Sequence, residues 1–268
     1  MEIIPNKIDK SSSIQDCTTA RPQDCRTDLP DMTFLVPLRM DSQERTENIN
    51  TLIRYTYLHF RTSLIVLEAD SNQKFFPENE PEGFRYEFIK DDNEVFHRTK
   101  WINRLFSMAD TPFVGIWDAD AITPPDQIID ALEKLRNGDT VLSFPYDGRF
   151  YSCDKVSYVL FRKHLDIEIL KKRIPVMNLL HGYHSVGGAF IVHKERYNEA
   201  GGENENIYGW GPEDTERIKR LETKCLKILH SPGVLFHLCH PMGKNSWFVN
   251  SKIECMNRRE LQRTCNYF

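Results

Sequence analysis

Short apolar runs alternate with amphipathic stretches through the first half of the chain, and this alternation restricts the fold more than any other feature. Thr33-Phe34-Leu35-Val36-Pro37 reads as a buried strand. A helix fits residues 43–60, with Ile49, Leu52, Ile53 and Tyr57 on one face. Residues 63–70 and 86–90 read as two further strands, and 96–108 as a helix with Trp101, Ile102, Leu105 and Met108 inward. Residues 113–117 give a fourth strand, and Thr123-Pro124-Pro125-Asp126 starts a helix with proline in its first turn. Strands that alternate with helices form βαβ units, so an α/β fold with a mixed, mostly parallel sheet flanked by helices is expected. In the second half the pattern suggests strands at 140–145, 187–193 and 226–237, and helices near 154–172, 213–223 and 251–263.

Ligands of such sheets bind beyond the carboxyl ends of the strands. Arg39, Asp41, Asp70, Asp118 and Asp120 all fall there. The 268 residues show no internal repeat and no linker, so one domain over residues 32–268 is the simplest account. Residues 1–31 are polar and aperiodic and read as a loosely held tail. A net charge of -4, with both signs scattered, argues against a nucleic-acid footprint. The seven cysteines are odd in number, without a Cys-x-x-Cys pair, which suits reduced, intracellular usage. No apolar run approaches the ~20 residues of a membrane span, so a soluble, cytoplasmic protein is expected, at most peripheral at the inner face of the membrane.

Three groups of residues could carry chemistry. Asp118 and Asp120 offer hard oxygen ligands at a strand end, suited to Mg²⁺ or Mn²⁺ bridging to phosphate. His237 and His240, three apart after an apolar run, would make the set a mixed O/N site, which favours Mn²⁺ over Ca²⁺. Cys239 between them reads as core, and residues 241–246 as a mobile loop. Trp210 sits between Gly209 and Gly211, a large ring on a bendable loop, and Glu213, Asp214 and Glu216 follow at a helix start. Capping is the plain reading of those acids; beside such a ring they also suit a substrate site with a general base. Arg39, Arg45 and Arg98 could grip phosphate, although each alone is most simply a surface charge.

Taken in order, these blocks resemble the metal-dependent, inverting glycosyltransferases of the β-1,4-galactosyltransferase family. They are also similar to the catalytic modules of bacterial chondroitin-type polymerases and polypeptide N-acetylgalactosaminyltransferases. The resemblance spans residue 32 to about His240. Pro37-Leu38-Arg39 is similar to the family's Pro-Phe-Arg segment, and Phe96 to Asn103 to its donor-side helix, which carries Arg98 here. Asp118-Ala119-Asp120 matches the Asp-x-Asp signature, whose second aspartate takes the metal. Gly187-Gly188-Ala189-Phe190 is similar to the strand lining the sugar pocket. Gly209-Trp210-Gly211-Pro212-Glu213-Asp214 resembles Gly-Trp-Gly-Gly-Glu-Asp, where the tryptophan loop closes over the donor and the aspartate is the base. His237 and His240 fall where the family completes its metal shell. Three departures stand out: Pro212 replaces a loop glycine, Thr215 an acid of some relatives, and Ser185 a tyrosine common in galactosyl enzymes.

The resemblance implies a GT-A fold, with a nucleotide-binding half over residues 32–122 and an acceptor and sugar half over 123–268, and transfer of galactose or N-acetylgalactosamine from a UDP-sugar to a saccharide or lipid-linked saccharide. Asp214 would act as base beside Glu213, and Mn²⁺ (or Mg²⁺) would be held by Asp120, His237 and His240. The donor would lie among Pro37, Arg39, Asp41, Asp70, Arg98, Asp118, Ser185, Gly187, Gly188, Trp210 and Gly211. Animal relatives are membrane-anchored; the lack of an anchor here suggests a bacterial enzyme of surface polysaccharide synthesis. Two rivals remain. One is a phosphohydrolase of the haloacid-dehalogenase kind using Asp118 and Asp120, disfavoured by Ile122 where Thr or Val is wanted. The other is a non-catalytic GT-A sugar-binding protein, against which the intact acids and histidines argue.

Overall fold

A computed structural model describes residues 25–243 and 247–266. In chain order the elements are β1 (Thr27–Leu38), α1 (Gln43–His59), β2 (Phe60–Asp70), β3 (Phe84–Lys90), α2 (Arg98–Met108), β4 (Phe113–Trp117), β5 (Ala121–Ile122) and α3 (Pro125–Arg136). There follow β6 (Leu142–Phe144), β7 (Phe150–Ser152), α4 (Lys155–His164), α5 (Ile167–Arg173), β8 (Asn178–Leu179), β9 (Ala189–His193) and α6 (Lys194–Glu199). The last are α7 (Glu213–Thr223), β10 (Ile228–His230), β11 (Leu235–His237) and α8 (Ser251–Asn266).

The large sheet runs β10-β6-β9-β4-β1-β2-β3. Every pairing in it is parallel except those of β9, which is antiparallel to both β4 and β6. From Met32 to Leu38 and from Leu64 to Asp70, β1 and β2 are buried at every residue, as expected where both faces of a parallel sheet are covered. Their side chains merge with Ile49, Leu52, Trp101, Leu105 and Leu132 from the helices into one core. Trp117 meets Phe34 edge to face at 5.2 Å in its centre. Each such fully buried large side chain contributes about 1.5–3 kcal/mol.

A second sheet, β5-β11-β7-β8, is built from strands of two or three residues. Its pairing is what matters for the site: Ala121 stands opposite His237, and Ser152 lies alongside it.

Three elements depart most from the sequence reading. β1 begins at Thr27, so residues 27–31 of the expected tail belong to the sheet; residues 1–24 lie outside the described residues. Asp28 and Asp31 hid that extension, yet Asp28 pairs with Arg61 on the neighbouring strand and Asp31 with Arg136. The register then shifts between Asp28 and Thr33. The helix expected at 154–172 is two, because Leu165 takes a left-handed conformation (φ 53°) and Asp166 caps a new helix through the amide of Glu168. The strand expected at 226–237 is also two, in different sheets, divided by Ser231-Pro232-Gly233. Of the loop expected at 241–246, residues 244–246 lie outside the described residues.

Among the described residues no helix is long and apolar enough to cross a membrane.

Candidate active site

β4 delivers Asp118 and Asp120 to the carboxyl edge of the sheet. The chain turns there, the Ala121 amide donating to the Asp118 carbonyl at 3.1 Å. It then enters β5, which pairs with β11, and the Leu238 amide reaches the Asp120 carbonyl at 2.8 Å. This ladder brings His237 beside Asp120 across more than a hundred residues of chain. Asp120 is 4% exposed. Its Oδ1 lies 3.7 Å from Nε2 of His237, and its Oδ2 lies 3.1 Å from Nε2 of His240. Arg45, held by Asp41 at 2.8 Å, reaches the same Oδ2 at 3.4 Å.

Burial opposes the charge on Asp120, but His237, His240 and Arg45 together outweigh it and hold the carboxyl far below its ordinary range. Burial pushes His237 down despite Asp120, whereas at His240 burial is outweighed by the bond to Asp120 and the ring is pushed up, so an ion bound here would displace a proton from His240. One donor atom from each of Asp120, His237 and His240 falls within 4.8 Å of the others, so the three fit a single ion. One hard oxygen with two borderline nitrogens is a donor set for Mn²⁺ rather than Ca²⁺.

Next to this group runs a chain of charges. Arg98, at the first turn of α2, donates to Asp118 Oδ1 at 2.7 Å and lies 4.0 Å from Asp214 Oδ1. Its second terminal nitrogen, Nη1, is buried without a hydrogen-bond partner, a donor left for something that enters the site. Burial raises Asp118, with Asp120 and Asp214 adding to it, against the pull of Arg98. Asp214, in the first turn of α7, accepts from Arg217 Nη1 at 2.7 Å. Arg217 is wholly buried and also grips Glu203 with two bonds of 2.8 and 2.9 Å, its guanidinium 4.0 Å above the Phe190 ring. Glu213 is buried too; burial first, then the neighbouring Asp214 charge, push its carboxyl up to about 8. The acids at the start of α7 therefore do more than cap it: their partners are ion pairs and loop amides, Glu213 accepting from Gly211 N at 3.1 Å.

Because β9 runs antiparallel, its first residues stand level with the end of β4, Trp117 opposite Ala189. The Gly188 carbonyl accepts from the Asp118 amide at 2.8 Å. At Gly187 a Cβ would lie 2.6 Å from Asp214 Oδ2, so only glycine lets the carboxylate rest against this wall. Ser185 is buried just ahead, and the Tyr146 hydroxyl lies 3.0 Å from its carbonyl and 2.6 Å from that of Gly187. The Trp210 ring stacks on Trp247 at 5.3 Å and meets Phe248 edge-on at 4.9 Å. Gly209 has φ +74°, and a Cβ there would strike Val95.

The remaining expected residues frame one side. Pro37 lies buried in β1 beside Leu67. Arg39 spends its donors on the carbonyls of Ala69 and Asn93, each at 2.8 Å, and on Asp91 at 2.9 Å, with Phe96 5.2 Å beneath. It ties three strand-end segments together and offers no open fork. Asp70 is likewise engaged, by Lys74 and Ser71. Cys239 packs against the core as expected, its Sγ donating to the Cys153 carbonyl at 2.6 Å. Glu203, Arg217, Tyr146 and Asn257 were not singled out from sequence. Only Arg217 left a trace there, three residues after Asp214 on one helix face.

The fold and the arrangement of groups at this edge are similar to those of the GT-A glycosyltransferases, and part of the second half matches a galactosyltransferase family model. The family described as the N-terminal domain of galactosyltransferase matches residues 163–240, which hold Gly187, Trp210, Asp214, His237 and His240. No curated protein matches the sequence. The structure is similar to Drosophila β1,4-galactosyltransferase 7 solved with manganese, UDP-Gal and xylobiose, at 15% identity over 85% of this chain and 79% of that one, TM-score 0.52. The same enzyme with xylobiose alone gives 16% identity over 76% of this chain, TM-score 0.46, and this chain spans 65% of it. Glucosyl-3-phosphoglycerate synthase of Mycobacterium tuberculosis, with Mn²⁺, UDP and phosphoglyceric acid, gives 13% over 88% of this chain and 79% of that one, TM-score 0.48.

Proposed function

We propose that the protein moves a hexose from a UDP-sugar to a saccharide hydroxyl in a single inverting displacement. One observation carries this reading: Arg98 bridges the two chemical halves of the site, bonded to Asp118 beside the metal group and within 4.0 Å of Asp214. The likeness in fold to a transferase solved with manganese, UDP-Gal and xylobiose supports the donor and acceptor classes. Asp120, His237 and His240 would hold Mn²⁺, which when bound supplies charge to neutralise the diphosphate leaving group.

The residues of the chain do the rest. Arg98 offers its Nη1, which lacks a hydrogen-bond partner and lies 4.0 Å from Asp214 Oδ1, to the donor's anionic end. Asp214, fixed by Arg217, accepts the proton of the acceptor hydroxyl as that oxygen bonds to the anomeric carbon and the bond to UDP breaks. Positive charge builds on the ring in the transition state, as in glycoside hydrolysis. Trp210 keeps water out, so that transfer outruns hydrolysis. Ser185 leaves room on the sugar's C2 side, so UDP-N-acetylgalactosamine is a donor at least as good as UDP-galactose.

A phosphohydrolase needs a strand-end carboxylate free to attack. Here Asp118 is tied to Arg98 and Asp120 to two histidines, which favours transfer. The test is UDP release from a panel of UDP-sugars with Mn²⁺, run beside p-nitrophenyl phosphate. Asp214→Asn should keep donor binding but lower turnover by roughly 10²-fold or more. Wild-type turnover in that variant removes Asp214 from the mechanism, and phosphate release without any sugar chemistry refutes the reading as a whole.

A further inference from the structure

Helix α8 runs from Ser251 to Asn266, and Asn257 alone of its residues is buried. Surface helices ordinarily attach through an apolar stripe. This one fully buries no apolar side chain, Ile253 and Leu261 being only half-buried, and its side-chain bonds are to polar groups. Glu260 accepts from the side-chain amides of Asn204 at 3.1 Å and Asn206 at 3.2 Å, and Thr264 lies 3.0 Å from Glu216. Asn257 itself is 0% exposed, and its whole amide is turned to the backbone of the tryptophan loop. Its Oδ1 accepts from the Tyr208 N–H at 3.0 Å, and its Nδ2 donates to the Tyr208 carbonyl at 2.9 Å and lies 3.4 Å from that of Trp210.

The orientation of this amide follows from its partners, since a backbone N–H can only donate and a carbonyl only accept. No other side chain of that length offers both. Alanine or leucine at 257 leaves buried backbone groups unpaired, and aspartate keeps the acceptor while losing the donor. Gly211 completes the fit: a Cβ there would stand 2.6 Å from Asn257 Nδ2. The same stretch of chain clasps the Trp210 ring through Trp247 and Phe248.

We propose that Asn257 is a positioning residue that sets the conformation of the Tyr208–Gly211 loop, which carries Trp210 and leads directly into Glu213 and Asp214. Its kinetic consequence rests on the sugar-transfer reading; its effect on the loop does not. The test uses the full chain and three variants, Asn257→Ala, Asn257→Asp and Glu260→Ala. Hydrogen exchange is read at the Tyr208 amide, and the KM and kcat of UDP-galactose hydrolysis with Mn²⁺ are measured. Asn257→Ala should speed exchange at Tyr208 roughly tenfold or more, with the β4 amides still protected. Its KM for UDP-galactose should rise about fivefold or more, while kcat for hydrolysis does not fall. Asn257→Asp should retain most of the Tyr208 protection and still show the higher KM. That variant decides the matter if the alanine form does not fold.

Unchanged Tyr208 exchange in Asn257→Ala overturns the proposal. So does Glu260→Ala reproducing the whole effect, since docking of α8 anywhere would then suffice. If the wild type does not hydrolyse UDP-galactose, the exchange measurements alone decide the positioning role.

Discussion

Replacing Arg217 by methionine tests what holds the proposed base. Arg217 is wholly buried and makes three charge-assisted bonds, two to Glu203 and one of 2.7 Å to Asp214. Methionine fills much of the same space but returns none of them. Glu203, 4% exposed, would keep only the Tyr197 hydroxyl at 2.6 Å. Removing one partner of a buried ion pair costs about 3–5 kcal/mol, because the other charge stays behind. For a chain of this size each kcal/mol moves Tm by about 2–4 °C, so a fall on the order of 10 °C is expected. The double variant Arg217→Met with Glu203→Gln removes the stranded charge and should recover about half of the loss or more. Urea unfolding at pH 7, followed by tryptophan fluorescence, measures all three proteins. A single-variant loss below about 1 kcal/mol, or a double variant no more stable than the single, refutes the argument. Where the single variant folds, turnover should also drop, since Asp214 loses the contact that aims it.

His240→Ala should abolish Mn²⁺-dependent UDP binding, as the oxygen and nitrogen donors must meet at one ion; calorimetry showing equal affinity with and without EDTA in both proteins rules this out. Glu213 holds its proton up to about pH 8 in the folded protein but releases it near pH 4.5 when unfolded. The resulting stability is full below about pH 4.5 and is lost as pH rises through about 8, by up to about 1.4 kcal/mol per pH unit. Glu213→Gln should therefore flatten the decline of Tm between pH 5 and 8, and an unaltered slope places the cause elsewhere. Ser185→Tyr should shift the ratio of kcat/KM towards UDP-galactose over UDP-N-acetylgalactosamine; a ratio that does not move shows that residue 185 does not face the sugar.

How far the sequence could be read depended on what stabilises each part. β4 was legible to the residue because Phe113–Trp117 is buried on both faces and bounded by turns. The strand-end acids and the glycine-tryptophan loop were visible because their residue types are unusual together. The small sheet was not, since two-residue strands such as β5 and β8 owe their conformation to pairing, which leaves no pattern. Likewise Leu165 carries no sign of its left-handed turn, leucine being an ordinary helix former. The Glu203–Arg217 pair and Asn257 escaped for a different reason. Polar residues in a linear reading look solvated, and only the three-dimensional arrangement shows that they are buried with their partners.

The reversed direction of β9 has a consequence for how such a protein can diversify. A parallel strand in its place would carry its leading residues to the far edge of the sheet. β9 instead enters from the site, so residues 180–188 form both its approach and the wall beside Asp214. The metal group and the base hang on other segments, β4, β11 and α7. Changes in the approach loop leave the register between β4 and β9 fixed from Trp117 to Phe113. The approach to β9 and the acids of the site thus sit on different segments that meet at Gly187 and Gly188, so sequence drift ahead of those two glycines is the change the site geometry tolerates most readily.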